Sequence, residues 1–153
     1  MADLGLIALV IAFAVTLFGI GASLLGAWLK RPSLVAAGRN ALYVVCAFVA
    51  LASLILVLAL VRRDYSLAYV VNQVSNTQQL FYNISSFWGG QAGSLLFWTL
   101  VLAGYSAAVT LAQWKRQPVL RPYVTAVLLG VMLFFLTVLL FTANPFNRLW
   151  LLP

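Results

Sequence analysis

ALYVVCAFVALASLILVLALV, residues 41–61, contains no Lys, Arg, Asp, Glu or His. A helix of about 20 apolar residues crosses the roughly 30 Å hydrocarbon core of a bilayer. Within it every backbone amide is paired along the helix, as lipid requires. The stretch therefore predicts a transmembrane span. Working outward, residues 4–29, 92–113 and 123–143 read the same way, the last between Pro122 and Pro145. The expected fold class is all-α. It is a polytopic membrane protein with four transmembrane helices and an aromatic-rich extracytoplasmic connection over residues 62–91, all within one transmembrane domain, 1–153.

Composition agrees. Hydrophobic residues make up 65% of the chain and charged ones 7%, against about 25% charged in a soluble domain. A soluble fold of this size buries only about 70% of its extended surface, so the surplus must face lipid. The net charge of +7 comes from nine basic and two acidic side chains, with no histidine. Lys30, Arg31 and Arg39 form one group, Arg62 and Arg63 a second, and Lys115, Arg116 and Arg121 a third, while Arg148 stands alone. They lie in the gaps between apolar runs, where headgroups sit. The partner they imply is the lipid bilayer and not nucleic acid.

Six of the nine basic residues belong to the two short connections. The positive-inside rule then places those connections in the cytoplasm and both termini, with the 62–91 connection, outside. That connection carries Tyr65, Tyr69, Phe81, Tyr82, Phe87 and Trp88. So many amphipathic rings predict a segment lying along the outer membrane surface, partly as short helix. Asn83-Ile84-Ser85 has the letters of a glycosylation acceptor, a pattern too common to carry weight.

Small residues four apart suggest close helix contacts. Gly19, Ala22 and Gly26 provide such a face on the first span, and Gly104 with Ala108, or Ala103 with Ala107, on the third. The fourth, with LLGVMLFFLTVLLF, is bulkier and is expected to face lipid. Cys46 is the lone cysteine, which excludes an internal disulfide and a CxxC pair.

Catalytic constellations are missing from the pattern: no paired carboxylates, no Gly-rich phosphate loop, and no ionisable residue within the spans to mark a transport path. The most distinctive stretch is FWGGQAGSLLFW, Phe87 to Trp98. Gly89, Gly90 and Gly93 permit close backbone approach or positive φ. Ser94 suits a helix cap whose amides can receive a carboxylate. Trp88 and Trp98 offer flat apolar faces, so the set reads either as a wall for a large, flat ligand or as a tight turn with interfacial tryptophans. In the tail, Asn144 and Pro145 end the fourth span, and Arg148 reads as a headgroup anchor or the partner of an outer anion.

YVVNQVSN (Tyr69 to Asn76), FWGGQAGSLLFW and ANPFNRL (Ala143 to Leu149) together resemble the N-terminal part of the CcmF-type cytochrome c biogenesis proteins, haem lyase components of bacteria. The resemblance covers nearly the whole chain. It implies a place in the cytoplasmic (inner) membrane, within a system that delivers haem and attaches it to apocytochrome c CxxCH motifs. The implied partners are a haem chaperone, apocytochrome c, maturation thiol-redox proteins and the remaining portion, or split partner, of the lyase.

Trp88, Gly89, Gly90, Gly93, Ser94 and Trp98 match the family's early glycine-serine motif and are the candidate haem-facing or structural residues. Ser75 and Asn76 match an outer-loop pair, and Asn144, Pro145, Phe146, Arg148 and Leu149 match the segment after the fourth span. Ala92 stands where the family often has Glu. The resemblance implies haem as cofactor of the full complex, yet without histidine this chain offers no evident axial ligand; Met132 and Cys46 lie in apolar runs. The chain is thus expected to supply scaffold, and not catalysis by itself, to a general lyase or to the type dedicated to nitrite-reductase cytochromes. The alternative is a non-catalytic structural subunit of another membrane complex.

Overall fold

The structure is a computed structural model that describes residues 1–75, 77, 79–113 and 115–148. Asn76 and Leu149, two residues of the matched motifs, lie outside the described residues. Among the described residues six helices follow in order: α1 (Ala2–Trp28), α2 (Pro32–Arg62), α3 (Ala68–Gln73), α4 (Leu80–Gly89), α5 (Gln91–Gln113) and α6 (Arg121–Phe141). Among them α1, α2, α5 and α6 are long and apolar enough to cross a membrane. The protein is polytopic and all-α.

The second helix begins at Pro32, well before residue 41. Proline at the first helical turn loses no hydrogen bond and has φ set for helix. Arg39 consequently sits within α2 and not in a loop; its exposed guanidinium reaches toward Asn40 Oδ1 at 3.4 Å. The turn between α1 and α2 is short. Lys30 occupies the left-handed region at φ 51°, with Lys30 N–H bonded to Ala27 O and Arg31 N–H to Gly26 O. The end of α2 repeats the motif with Arg63 at φ 54°, Arg63 N–H to Leu60 O and Asp64 N–H to Ala59 O. These crossed bonds satisfy the terminal carbonyls.

The four long helices form a closed ring in the order α1, α2, α5, α6, with α2 also touching α6 across the middle. The tightest seam is α1–α2. A Cβ on Gly38 would lie 2.0 Å from Ser23 Oγ, one on Gly26 would lie 2.8 Å from Val35 N, and one on Gly19 would meet Ala41 Cβ at 2.9 Å. Gly19, Ala22 and Gly26 are all buried, so the expected small-residue face of the first span is a contact face.

On the third span the pattern divides. Ala103 is buried and its carbonyl accepts from Cys46 Sγ at 3.0 Å, whereas Gly104 and Ala108 face outward and Gly104 has open space beside it. Nor is α6 mainly lipid-facing. Leu129, Met132, Leu136 and Leu139 form an inward stripe with no exposed surface. The reason is complementarity: large side chains fill the hollows left by small ones, and Leu129 Cδ1 lies where a Cβ on Gly19 would fall 2.7 Å from it. Phe13 and Phe141 meet edge to face at 6.3 Å between ring centres.

Several hydroxyls within the spans are satisfied locally, while those of Ser23 and Ser106 are buried without a hydrogen-bond partner among the described residues. Thr16 donates to Ala12 O, Ser53 to Val49 O and Thr110 to Ser106 O. Each bonds the carbonyl four residues back, which keeps it compatible with an apolar interior.

One end of the bundle gathers the N-terminus, the 62–91 connection and the tail. Phe146 is buried, its ring filling the space over Gly5, where a Cβ would come within 2.1 Å. Asn144 Oδ1 accepts from Phe146 N–H at 2.9 Å and turns the chain after α6. The tail then pairs with α3: Leu67 and Arg148 form an antiparallel bridge, and Ala68 N–H donates to Asn147 O at 3.0 Å. Arg148 forms an ion pair with Asp3 at the start of α1. Its partner is thus a carboxylate of the chain itself, which the span-by-span reading of the sequence did not show.

Candidate functional site

The 62–91 connection folds as two short helices, α3 and α4, over the gathered end. Asp64 Oδ1 accepts from Ser66 N–H at 3.2 Å, and hydrogen bonding from Ser66, its side chain foremost, holds the Asp64 carboxyl below the usual carboxylate range. The bond turns the chain from α2 toward α3. Then α4 runs almost directly into α5, interrupted by Gly90, whose φ of −102° and ψ of 160° are extended. Ser94 N–H bonds Gly90 O at 2.9 Å. The new helix therefore begins at Gln91, and Ser94 lies in its first turn instead of capping it.

Tyr69 of α3 explains two of the glycines. Its hydroxyl donates to Ser86 O at 2.7 Å, and the ring lies flush against the α4–α5 break. A Cβ on Gly93 would lie 2.1 Å from Phe87 O and 2.2 Å from Tyr69 Oη; one on Gly90 would lie 2.7 Å from Tyr69 Oη. The choice between close approach and positive φ is settled in favour of approach, since no glycine has positive φ among the described residues. Gly89 is exposed with open space around it. Burial pushes the Tyr69 phenol above its ordinary range, so it stays a hydrogen-bond donor. Ser86 completes the lock, its hydroxyl within reach of Tyr82 O at 2.8 Å and Gln73 O at 3.2 Å.

With the break held in this way, Trp88 and Trp98 come to the same face. They flank Phe97, with ring centres 6.3 Å and 5.7 Å from it, and Phe87 meets Phe97 edge-on at 6.0 Å. Trp88, Ser94, Phe97 and Trp98 line an open concavity of about 410 Å³. Trp88 and Trp98 are 53% and 57% exposed. Ser94, Phe97 and Trp98 share the face because residues three and four apart on a helix are neighbours.

Of the six candidates, the structure brings Trp88, Ser94 and Trp98 together on this shelf, uses Gly90 and Gly93 to seat Tyr69, and leaves Gly89 open. Phe97, Tyr69 and Ser86 are additions. Phe97 is visible in retrospect from its spacing to Ser94; the seat of Tyr69, set by a contact across some twenty positions of chain, carries no local signal. The sequence-matched Ser75 is exposed after α3. Asn83 is buried at 1% exposure, so its glycosylation-like triplet is not a surface site in this fold.

The shelf offers stacking surface, a hydroxyl and the positive end of α5. It holds no acid–base pair. Among the described residues, no group of three His, Cys, Asp or Glu side chains is placed to hold a metal.

Fold and site define a polytopic helical membrane protein with an aromatic shelf at one end of its bundle. No protein-family model matches the chain. It is 35% identical over 147 residues to the cytochrome c-type biogenesis protein CcmF of Pseudomonas aeruginosa, covering 96% of this chain and 22% of that protein. It is also 35% identical over 152 residues to the CcmF protein of Haemophilus influenzae, covering 97% and 23%. Similarity extends, at 28% identity, to the biogenesis protein NrfE of Haemophilus influenzae. A solved structure of the cytochrome c haem lyase CcmF superposes with a TM-score of 0.89 at 29% identity, covering 95% of this chain and 24% of that one. The chain is a CcmF-type sequence and corresponds to the N-terminal portion of that family. It spans under a quarter of the length of these relatives.

Proposed function

We propose that this chain is the N-terminal membrane unit of a cytochrome c maturation lyase, and that its aromatic shelf forms one wall against which haem is held. The observation that carries the reading is the convergence of Trp88, Phe97 and Trp98 on one open face, in a chain similar over nearly its whole length to CcmF proteins. A haem macrocycle is flat, apolar at its centre and acidic at one edge. The indoles suit its face, and Ser94 with the N-terminal end of α5 suits a propionate. Haem, when bound, supplies the vinyl groups that become thioethers, and groups outside these 153 residues would ligate its iron.

In this reading the shelf end faces the extracytoplasmic side of the inner membrane, where haem chaperone, apocytochrome c and the thiol-redox proteins meet the lyase. The charge asymmetry of the connections supports that orientation. The remaining lyase portion, whether continuous or separate, brings the catalytic groups.

The test is Trp88→Ala combined with Trp98→Ala, in cells that assemble the complete lyase. Two lost stacking contacts of about 1 kcal/mol each should lower the yield of haem-stained cytochrome c by roughly tenfold or more, with lyase abundance unchanged. Phenylalanine at both positions should restore most of it. Full maturation with both indoles removed would refute the proposal.

A further inference from the structure

At the end of the bundle opposite the shelf, the two short connections enclose a concavity of about 520 Å³. Lys30 and Arg31 line it from the α1–α2 turn and Arg121 from the start of α6, against apolar walls from Val35, Val119 and Tyr123. Lys30 and Arg31 are not on a loose tether: the left-handed turn fixes them, with Arg31 N–H bonded to Gly26 O at 3.0 Å.

Both side-chain carboxylates of the protein lie at the far end, Asp3 paired with Arg148 and Asp64 bonded to Ser66. No side-chain carboxylate lies at this end of the bundle, and Lys115, Arg116 and Arg39 add positive charge to it. A basic pocket with apolar walls at a helix-bundle edge fits an anionic amphiphile. A free anion would meet the bases and leave the apolar walls uncovered. A zwitterionic headgroup would bring its own cation into a field already positive.

We propose that this concavity is a binding site for an anionic phospholipid, its phosphate held by Lys30, Arg31 and Arg121 and its acyl chains lying against the flank where α1 and α6 pack together. The site is independent of the aromatic shelf and of any haem chemistry.

Native mass spectrometry of the detergent-purified chain, offered phosphatidylglycerol or phosphatidylcholine, tests it. The wild type should retain phosphatidylglycerol in preference. Lys30→Gln with Arg31→Gln should weaken that retention by about tenfold or more, at about 1 kcal/mol per base removed. Lys115→Gln with Arg116→Gln removes the same charge from the same end and should leave retention intact, because neither residue lines the concavity. Arg31→Gln alone, which spares the left-handed position, should give an intermediate loss with unchanged thermal unfolding. Equal loss in both double variants would reduce the site to diffuse charge attraction and overturn the proposal. So would equal retention of the two lipids, or displacement of the lipid by millimolar inorganic phosphate, which would mark a free-anion site.

Discussion

Tyr69 and Gly93 are the pair on which the shelf depends. A methyl group at Gly93 collides with the carbonyl of Phe87, which is backbone and cannot rotate aside. Gly93→Ala should therefore cost about 1–3 kcal/mol, the usual range for overpacking, while Gly89→Ala, which meets nothing, should be near neutral. Thermal unfolding in detergent compares them. A pH effect belongs to Asp64. Its folded-state pKa is lowered by the bond to Ser66, so its contribution is present above the ordinary carboxylate value and is lost as pH falls through the folded one. Protection of the Ser66 amide, measured against its intrinsic exchange rate, should fall in acid, and Asp64→Asn should blunt that dependence. At this scale the sequence was legible by residue type and not by partner. WGGQAGS announced a crowded backbone, but the ring that crowds it belongs to a helix that starts more than twenty positions earlier.

Among elements, hydrophobic length was decisive: four apolar runs became four long helices. Their faces were harder to read. A glycine pair on a transmembrane helix looks the same whether it receives a neighbour or faces lipid, and only the surroundings separate Gly38 from Gly104. Gly38→Leu should open the α1–α2 seam, destabilising the bundle by about 1–3 kcal/mol. Gly104→Leu should be neutral or stabilising by up to about 1 kcal/mol, since leucine is the better helix former. The same unfolding assay would show a loss for the first and none for the second. Bulk misled in α6 because packing needs a knob for every hollow: the small residues of α1 are matched by Leu129 and its inward neighbours. The early start of α2 was hidden by Arg39, whose charge suggests a loop although a long side chain on a helix end can reach water.

For the whole molecule, the gathering of termini and middle connection at one end gives the bundle two unlike poles. One carries the aromatic shelf, the tail and both carboxylates; the other carries most of the basic charge. Span counting and charge asymmetry implied this polarity, but the contacts that build the shelf pole are long-range: Phe146 on Gly5, Arg148 on Asp3 and on Leu67. The functional account requires the shelf pole to face outward. Single cysteines at Gly89, beside the shelf, and at Arg116, at the basic pole, can be introduced with Cys46 replaced by alanine and probed in living cells with a membrane-impermeant thiol reagent. The account predicts that Gly89→Cys is labelled in intact cells and Arg116→Cys only after permeabilisation. The reverse pattern would put the shelf in the cytoplasm and contradict the proposed role in cytochrome c maturation.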